Sequence, residues 1–332
     1  MKDLKDTCRV AVVQCAPVMF DKKAGTEKMV ELIREAGKNG AELIVFPELI
    51  IPCYPYGMTF GYTVGSRDKV GRLDWKRYYD NSLCVPGPET ELLGQAAKEA
   101  HAYVSIGVSE RGEDSATLYN SNIVFSPEGE LLNVHRKLKP TGAERLVYGD
   151  ANKDYFPITD TPWGPMGNLI CWESYMPLAR VALYQKGISL YISPNTNDNP
   201  EWQDTIRHIA IEGHCYFINA DLIFRREDYP ETVSAAAEIA ALLPSNAPWS
   251  LIEREDLLDE NGMPTAGMAE IILAKHRNGA VCDVNLRFLK EQARFADVDD
   301  TMLPPSQAAD SQQAYDDYAS GSNAVPGAGI GG

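Results

Sequence analysis

Residues 41–48 read AELIVFPE, with Leu43, Ile44, Val45 and Phe46 in an unbroken apolar run. A strand that meets water on one face alternates polar and apolar side chains. A run without alternation belongs to a strand covered on both faces. The flanking segments supply the cover. KAGTEKMVELIREAGKNG carries Met29, Val30, Ile33 and Ala36 on one helical face and stops at Gly40, and ETELLGQAAKEAHA is a second helix. RVAVVQCAP, YVSIGVSE, MGNLIC, SLYISP and YFINA read as further strands, and MPLARVALYQKG and WQDTIRHIAIEGHC as helices. TLYNSNIVFSPEGELLNVHRK reads as a hairpin turning at Pro127-Glu128-Gly129. From Leu49 to Val85 the pattern is a long polar and aromatic loop. The alternation predicts an α/β protein with a mixed sheet under helices.

The 332 residues carry a formal net charge of −16, which disfavours nucleic acid and anionic membrane surfaces as partners. No run has the length of a membrane span, and MKDLKDTCRVAVVQ lacks the basic-then-apolar pattern of a secretory signal. A cytoplasmic location is expected. The seven cysteines are scattered without a Cys-x-x-Cys pair, so neither a disulfide framework nor a zinc ribbon is indicated. The five histidines form no compact ligand set, and no metal is expected.

Four residues lie at strand ends or in the loops just after them, where α/β folds place reactive groups. Glu48 follows LIVFP, Lys137 lies in HRKLKPT, Glu144 in TGAERLVYG, and Cys171 closes the strand of GNLICWESYMPLAR. A thiol becomes a strong nucleophile on ionisation, and a carboxylate whose pKa is raised by burial can take its proton. An ammonium nearby favours the thiolate and stabilises negative charge growing on a substrate heteroatom. Such a set suits attack on an sp or sp² carbon bonded to nitrogen. Each residue also has an ordinary reading. Cys171 can be a core thiol, Glu48 a first-turn helix acid, Lys137 a solvated charge and Glu144 half of a surface pair. Spacing does not decide between them.

The motifs GAELIVFPE, YPYG, VPGPET, YVSIGVSERG, HRKLKPTGAERLVYGD, LICWESYMPLAR and RHIAIEGHCYFINA, in this order over about residues 8–245, resemble the nitrilase branch of the carbon–nitrogen hydrolase superfamily. The resemblance implies an αββα sandwich that pairs into a homodimer or higher oligomer, with no cofactor. It implies Cys171 as nucleophile, Glu48 as general base, Lys137 as acid and oxyanion stabiliser, and Glu144 as the fourth group. The implied reaction takes a small-molecule nitrile to a carboxylic acid and ammonia through a thioimidate and a thioester. Amide hydrolysis, or hydration stopping at the amide, is the alternative at the same site. Trp172 and Glu173 are further pocket candidates, Glu173 with a basic or backbone partner. Tyr54 and Tyr56 are read as substrate-pocket residues or, equally, as packing aromatics.

Past about residue 245 the nitrilase pattern stops. GMAEIILAKHRNGAV and LRFLKEQARF, within about 249–300, resemble the C-terminal end of replicative hexameric DNA helicases, with Lys275 and Arg277 at the position of that family's Lys-x-Arg. No phosphate-binding Gly-x-x-x-x-Gly-Lys-[Ser/Thr] loop accompanies them, so neither ATP hydrolysis nor DNA binding is expected. The expected organisation is a chimera: a nitrilase-like domain over 1–248, a helicase-like segment with a β-hairpin over 249–303, and a disordered tail over 304–332. A catalytically silent chimera serving as an assembly module is the reading from another class.

Overall fold

The computed structural model describes residues 4–66, 69–197, 199 and 201–243, and the backbone of three strands farther on. The first sheet runs β1 (Val10–Val12), β2 (Leu43–Val45), β3 (Tyr103–Arg111), β4 (Leu118–Phe125) and β5 (Leu131–Arg136) in spatial order. β1, β2 and β3 are parallel, and β3–β4–β5 is an antiparallel meander. The second sheet runs β6 (Ile158–Thr161), β7 (Gly164–Asn168), β8 (Leu190–Asn195) and β9 (Tyr216–Asp221), with β7, β8 and β9 parallel.

Three apolar layers follow from strand alternation. On β2, Ile44 packs with Met29, Val30 and Ile33 of α1 (Lys22–Lys38) and Leu93, Ala96 and Ala97 of α3 (Pro88–Ala100). Its neighbours Leu43 and Val45 point the other way, onto Met166, Leu190, Ile192 and Ala220 of the second sheet. On β8, Tyr191 turns outward to Ala179 and Leu183 of α4 (Pro177–Gln185) and Ile209 of α5 (Trp202–Gly213). The order is helices, sheet, sheet, helices, the expected αββα sandwich. It explains LIVF, because each face of β2 meets a different apolar layer. Every fully buried Leu, Ile or Val in these layers contributes about 1.5–3 kcal/mol.

Local chemistry sets the helix ends. Asp21 caps α1 by accepting from Ala24 N at 2.9 Å, and α3 opens with Pro88 after Gly87, whose N–H donates to Thr90 Oγ1 at 2.8 Å. Four elements depart from expectation. The loop 49–85 contains α2 (Lys69–Asp80), whose buried residues are Gly71, Asp74 and Tyr78 rather than an apolar stripe. Asp74 accepts from Ser234 N at 2.8 Å, so a polar tie seats this helix against the segment before α6 (Ala236–Leu242), also unforeseen. β6 is a short, half-polar edge strand with little signal. β7 ends at Asn168, and Leu169 and Ile170 continue as buried extended chain into Cys171.

The chain forms two compact units, Met1–Leu251 with Leu273–Cys282, and Ile252–Ile272 with Asp283–Gly332. The later strands β10 (Met268–Leu273), β11 (Cys282–Leu289) and β12 (Arg294–Asp297) form a sheet in that order, with β11 and β12 antiparallel and Leu289 opposite Arg294. Residues 274–281, between β10 and β11, and the expected disordered tail 304–332 lie outside the described residues.

Candidate active site

Glu48, Lys137, Glu144 and Cys171 are brought together at one end of the sandwich. Glu48 lies just past β2, where the backbone bends into the left-handed region at Leu49, with φ of 49°. Gly107 of β3 makes room for that bend. A Cβ there would lie 2.4 Å from Pro47 O and 2.7 Å from Glu48 Cα, closer than any side chain tolerates. Lys137 follows the last residue of β5. Its neighbour Arg136 pairs with buried Glu110, donating from Nε to Oε2 at 2.9 Å. Adjacent residues of an extended strand point to opposite sides, so this pair turns Lys137 toward Glu48. Glu144 sits in a 3₁₀ turn, Gly142–Leu146. Cys171 opens another 3₁₀ turn, Cys171–Tyr175, with φ of 52°. A left-handed non-glycine residue is strained by about 1–2 kcal/mol, and such strain concentrates at functional sites.

The Lys137 ammonium is fully buried between two carboxylates. Its Nζ donates to Glu48 Oε1 at 2.7 Å and to Glu144 Oε2 at 2.8 Å. The carboxylates differ in what else they hold. Glu144 accepts from Tyr54 OH at 2.7 Å on Oε1 and from Thr141 N at 2.9 Å on Oε2, so both oxygens are engaged. Glu48 accepts from Asn120 Nδ2 at 2.7 Å on the oxygen that meets Lys137, and its Oε2 is buried without a partner. Burial pushes Glu48 up to about 7, with Lys137 opposing the rise and Glu144 adding to it. Burial also raises the Cys171 thiol well above its ordinary value. Glu48 lifts it further, while the Lys137 ammonium and a Thr196 backbone hydrogen bond pull it down. For Lys137 itself burial acts downward, but Glu48 and Glu144 outweigh it and hold the ammonium charged.

Tyr54 is part of the cluster through its bond to Glu144, whereas Tyr56 packs on Phe224 with ring centroids 5.6 Å apart. Trp172 is half exposed and lies against Tyr175 at 4.8 Å. Glu173, read as a pocket candidate with a basic or backbone partner, has partners of both kinds. It is buried, and its carboxylate accepts from Ile170 N and Leu138 N, both at 2.6 Å, and meets His135 Nε2 at 2.9 Å. Both oxygens face the scaffold. Sequence reasoning missed Asn120, Thr141, His135 and Thr196. Asn120 left a trace, as a polar residue inside the wholly buried strand LYNSNIVF. Thr196 left none, and its buried Oγ1 has no partner. No His, Cys, Asp and Glu side chains among the described residues are grouped to hold a metal ion. No described helix is long and apolar enough to cross a membrane.

The carbon–nitrogen hydrolase family model matches residues 9–229, a continuous stretch that includes both sheets and all four site residues. The chain belongs to the carbon–nitrogen hydrolase family. This carbon–nitrogen hydrolase is 48% identical over 225 residues to an aliphatic nitrilase of Sinorhizobium fredii (strain HH103), covering 68% of this chain and 72% of that protein. It is 43% identical to nitrilase 2 of Arabidopsis thaliana over 67% of this chain and 65% of that protein. It is 41% identical to a bifunctional nitrilase/nitrile hydratase of Nicotiana tabacum over 68% of this chain and 64% of that one. The chain thus spans about two thirds of the length of these relatives. Among solved structures it resembles Saccharomyces cerevisiae Nit3, a member of branch 10 of the nitrilase superfamily, with a TM-score of 0.54 at 20% identity over 67% of this chain and 78% of that one. An amidase from Nesterenkonia sp. gives a TM-score of 0.51 at 15% identity over 66% and 78% of the two chains. These two likenesses establish the fold.

The comparisons overturn the chimeric reading. They describe one continuous carbon–nitrogen hydrolase fold, and none supports a helicase-derived part. The words behind that resemblance are short apolar runs around Asn-Gly, a pattern that many β-hairpins share. Lys275 and Arg277 lie outside the described residues.

Proposed function

We propose that this chain hydrolyses a small organic nitrile to a carboxylic acid and ammonia through a covalent intermediate on Cys171. The observation that carries the reading is the inequality of the two carboxylates around Lys137. Glu144 has both oxygens engaged and serves to hold the lysine. Glu48 keeps one buried oxygen without a partner and titrates near neutrality, as a general base requires. Glu48 takes the Cys171 proton, and the sulfur adds to the nitrile carbon. The nitrogen gains a proton from Lys137, giving a thioimidate. Glu48 returns its proton to Lys137, to which it is hydrogen-bonded, and water deprotonated by the regenerated Glu48 then adds to that carbon. The C–N bond breaks with protonation of nitrogen, and ammonia leaves. A second water cleaves the thioester and returns the thiol, so two waters are consumed for each acid and ammonia formed. Breaking the C–S bond before the C–N bond releases an amide. The Nicotiana tabacum relative, a bifunctional nitrilase/nitrile hydratase, supports that as a second exit.

Ammonia and acid release from a panel of aliphatic, aromatic and arylacetonitriles tests the reaction. Acid with ammonia is expected from at least one nitrile, amide alone would support the second exit, and no product from any nitrile would sink both. The same assay reads the base. Glu48 must be ionised to take a proton, and burial has raised its pKa. The kcat is therefore expected to rise with pH through about 7 and to be lost on acidification below it. A rate independent of pH between 5 and 8 would remove Glu48 from that role.

The proposed partner of the sandwich is a second copy of itself. Leu178 and Val181 of α4 and Ile211 of α5 are exposed on the outer helical layer, where an apolar surface favours association. Sedimentation at micromolar concentration is expected to show a dimer or larger, and a clean monomer would refute this.

A further inference from the structure

We propose that Glu173 is a positioning residue whose carboxylate ties the Cys171 turn to the end of the strand carrying Lys137. The inference rests on the proposed roles of Cys171 and Lys137, and its premise is topological. Glu48 and Lys137 follow strands of the first sheet, while Cys171 and Thr196 follow strands of the second, and among the described residues no ladder hydrogen bond joins the two sheets. The sheets meet face to face through the apolar layer of Leu43, Val45, Met166 and Leu190, and one side-chain bond, from Asn133 Nδ2 on β5 to Thr159 Oγ1 on β6, also joins them. Apolar contact is non-directional and sets the sheet separation better than it sets registration along the sheet. A nucleophile and its partners need registration, since a displacement of 1 Å can cost a factor of 10² in rate.

Glu173 supplies that registration. On one side it accepts from the N–H of Ile170, the residue before Cys171. On the other it accepts from the N–H of Leu138, the residue after Lys137, and meets the ring of His135 on β5. The side chain is buried, so water does not compete for these bonds. Two inward N–H groups require an acceptor on each oxygen, which only a carboxylate offers. Charge-assisted bonds of this kind are short and directional, and both backbone contacts measure 2.6 Å. The placement two residues after Cys171 follows from the 3₁₀ turn, which folds the Glu173 side chain back onto the N–H of Ile170.

Glu173→Gln keeps the volume but sets an amide N–H₂ against one of the two backbone donors. The full chain is expected to fold, with KM within about two-fold of wild type and kcat reduced about 30- to 100-fold. The number of Cys171 thiols titrated per chain should be unchanged. Iodoacetamide alkylation of Cys171, which needs no substrate, should shift its pH midpoint upward. Burial and the neighbouring Glu48, Glu144 and Tyr54 are retained, while registration with the Lys137 ammonium, the group across the sheets that favours the thiolate, is lost. An unchanged kcat and midpoint, or a loss of activity matched by a loss of titratable thiols, would overturn the proposal. If Glu173→Gln does not fold, His135→Gln leaves both backbone bonds in place. It is expected to lower kcat about three- to ten-fold at constant KM, and an unaltered kcat there is equally decisive. If no nitrile is hydrolysed by the wild type, the proposed reaction fails on its own, and the alkylation midpoint still decides the positioning.

Discussion

Cys171→Ala is expected to reduce nitrile turnover to background, a loss on the order of 10⁶ in kcat for a removed nucleophile, while the protein stays folded. The sulfur makes the covalent bond, and no other described thiol has the same surroundings. Cys53 and Cys215 are pushed up to about 12 by burial, and no lysine ammonium is among the groups acting on either. Among the described thiols, Cys171 alone feels both the Lys137 ammonium, which favours its thiolate, and the Glu48 carboxylate. Stability should change little, because only one buried atom is lost. The backbone adds a second test. Residue 171 has φ of 52°, where alanine is strained and glycine is not. Cys171→Gly should therefore melt no lower than Cys171→Ala, although glycine ordinarily destabilises by roughly 0.5–1 kcal/mol. Substantial activity in Cys171→Ala, with loss in Cys53→Ala or Cys215→Ala, would move the nucleophile elsewhere.

The part of the molecule legible in the sequence is the part governed by repetition. β2 is found because LIVF has no polar side, and α1 because Met29, Val30 and Ile33 recur at helical spacing. The end of β2 then marks Glu48, and the end of β5 marks Lys137. What the sequence hides is polar and singular. α2 is seated by Asp74 on Ser234, a contact across 160 residues that no local pattern encodes. Glu173 looks from its position like a pocket residue, and only the fold shows that the N–H of Leu138, 35 residues away, occupies it. The two site glutamates are likewise indistinguishable as letters. Their difference lies in Tyr54 and Thr141, which engage Glu144 and leave Glu48 with an unpartnered oxygen. The helicase-like words mark the opposite error, short apolar runs around Asn-Gly that too many sequences share to identify a family.

Lys137→Ala should be the most damaging substitution at the site, because it harms the fold as well as the chemistry. The ammonium lies between two buried carboxylates, at 2.7 Å from Glu48 and 2.8 Å from Glu144. Removing one partner of a buried ion pair leaves an uncompensated charge and costs about 3–5 kcal/mol, and here two carboxylates lose the same cation. For a domain of this size that corresponds to a fall in Tm of roughly 6–20 °C. The loss should depend on pH in a definite direction. Without Lys137, nothing opposes burial at Glu48, and its folded-state pKa rises further above its unfolded value. A raised carboxylate contributes stability below the unfolded pKa and loses it as pH rises through the folded one. The gap between variant and wild type is therefore expected to be small near pH 5 and to widen toward pH 8. Adding Glu48→Gln to Lys137→Ala removes one of the stranded charges and should recover part of the Tm, so the two substitutions will not be additive. Activity should not recover with it, since the acid and the base are then both absent. A Lys137→Ala protein that melts with the wild type at pH 8 would mean that water reaches this cluster, and the pKa near 7 proposed to make Glu48 a base would lose its physical cause.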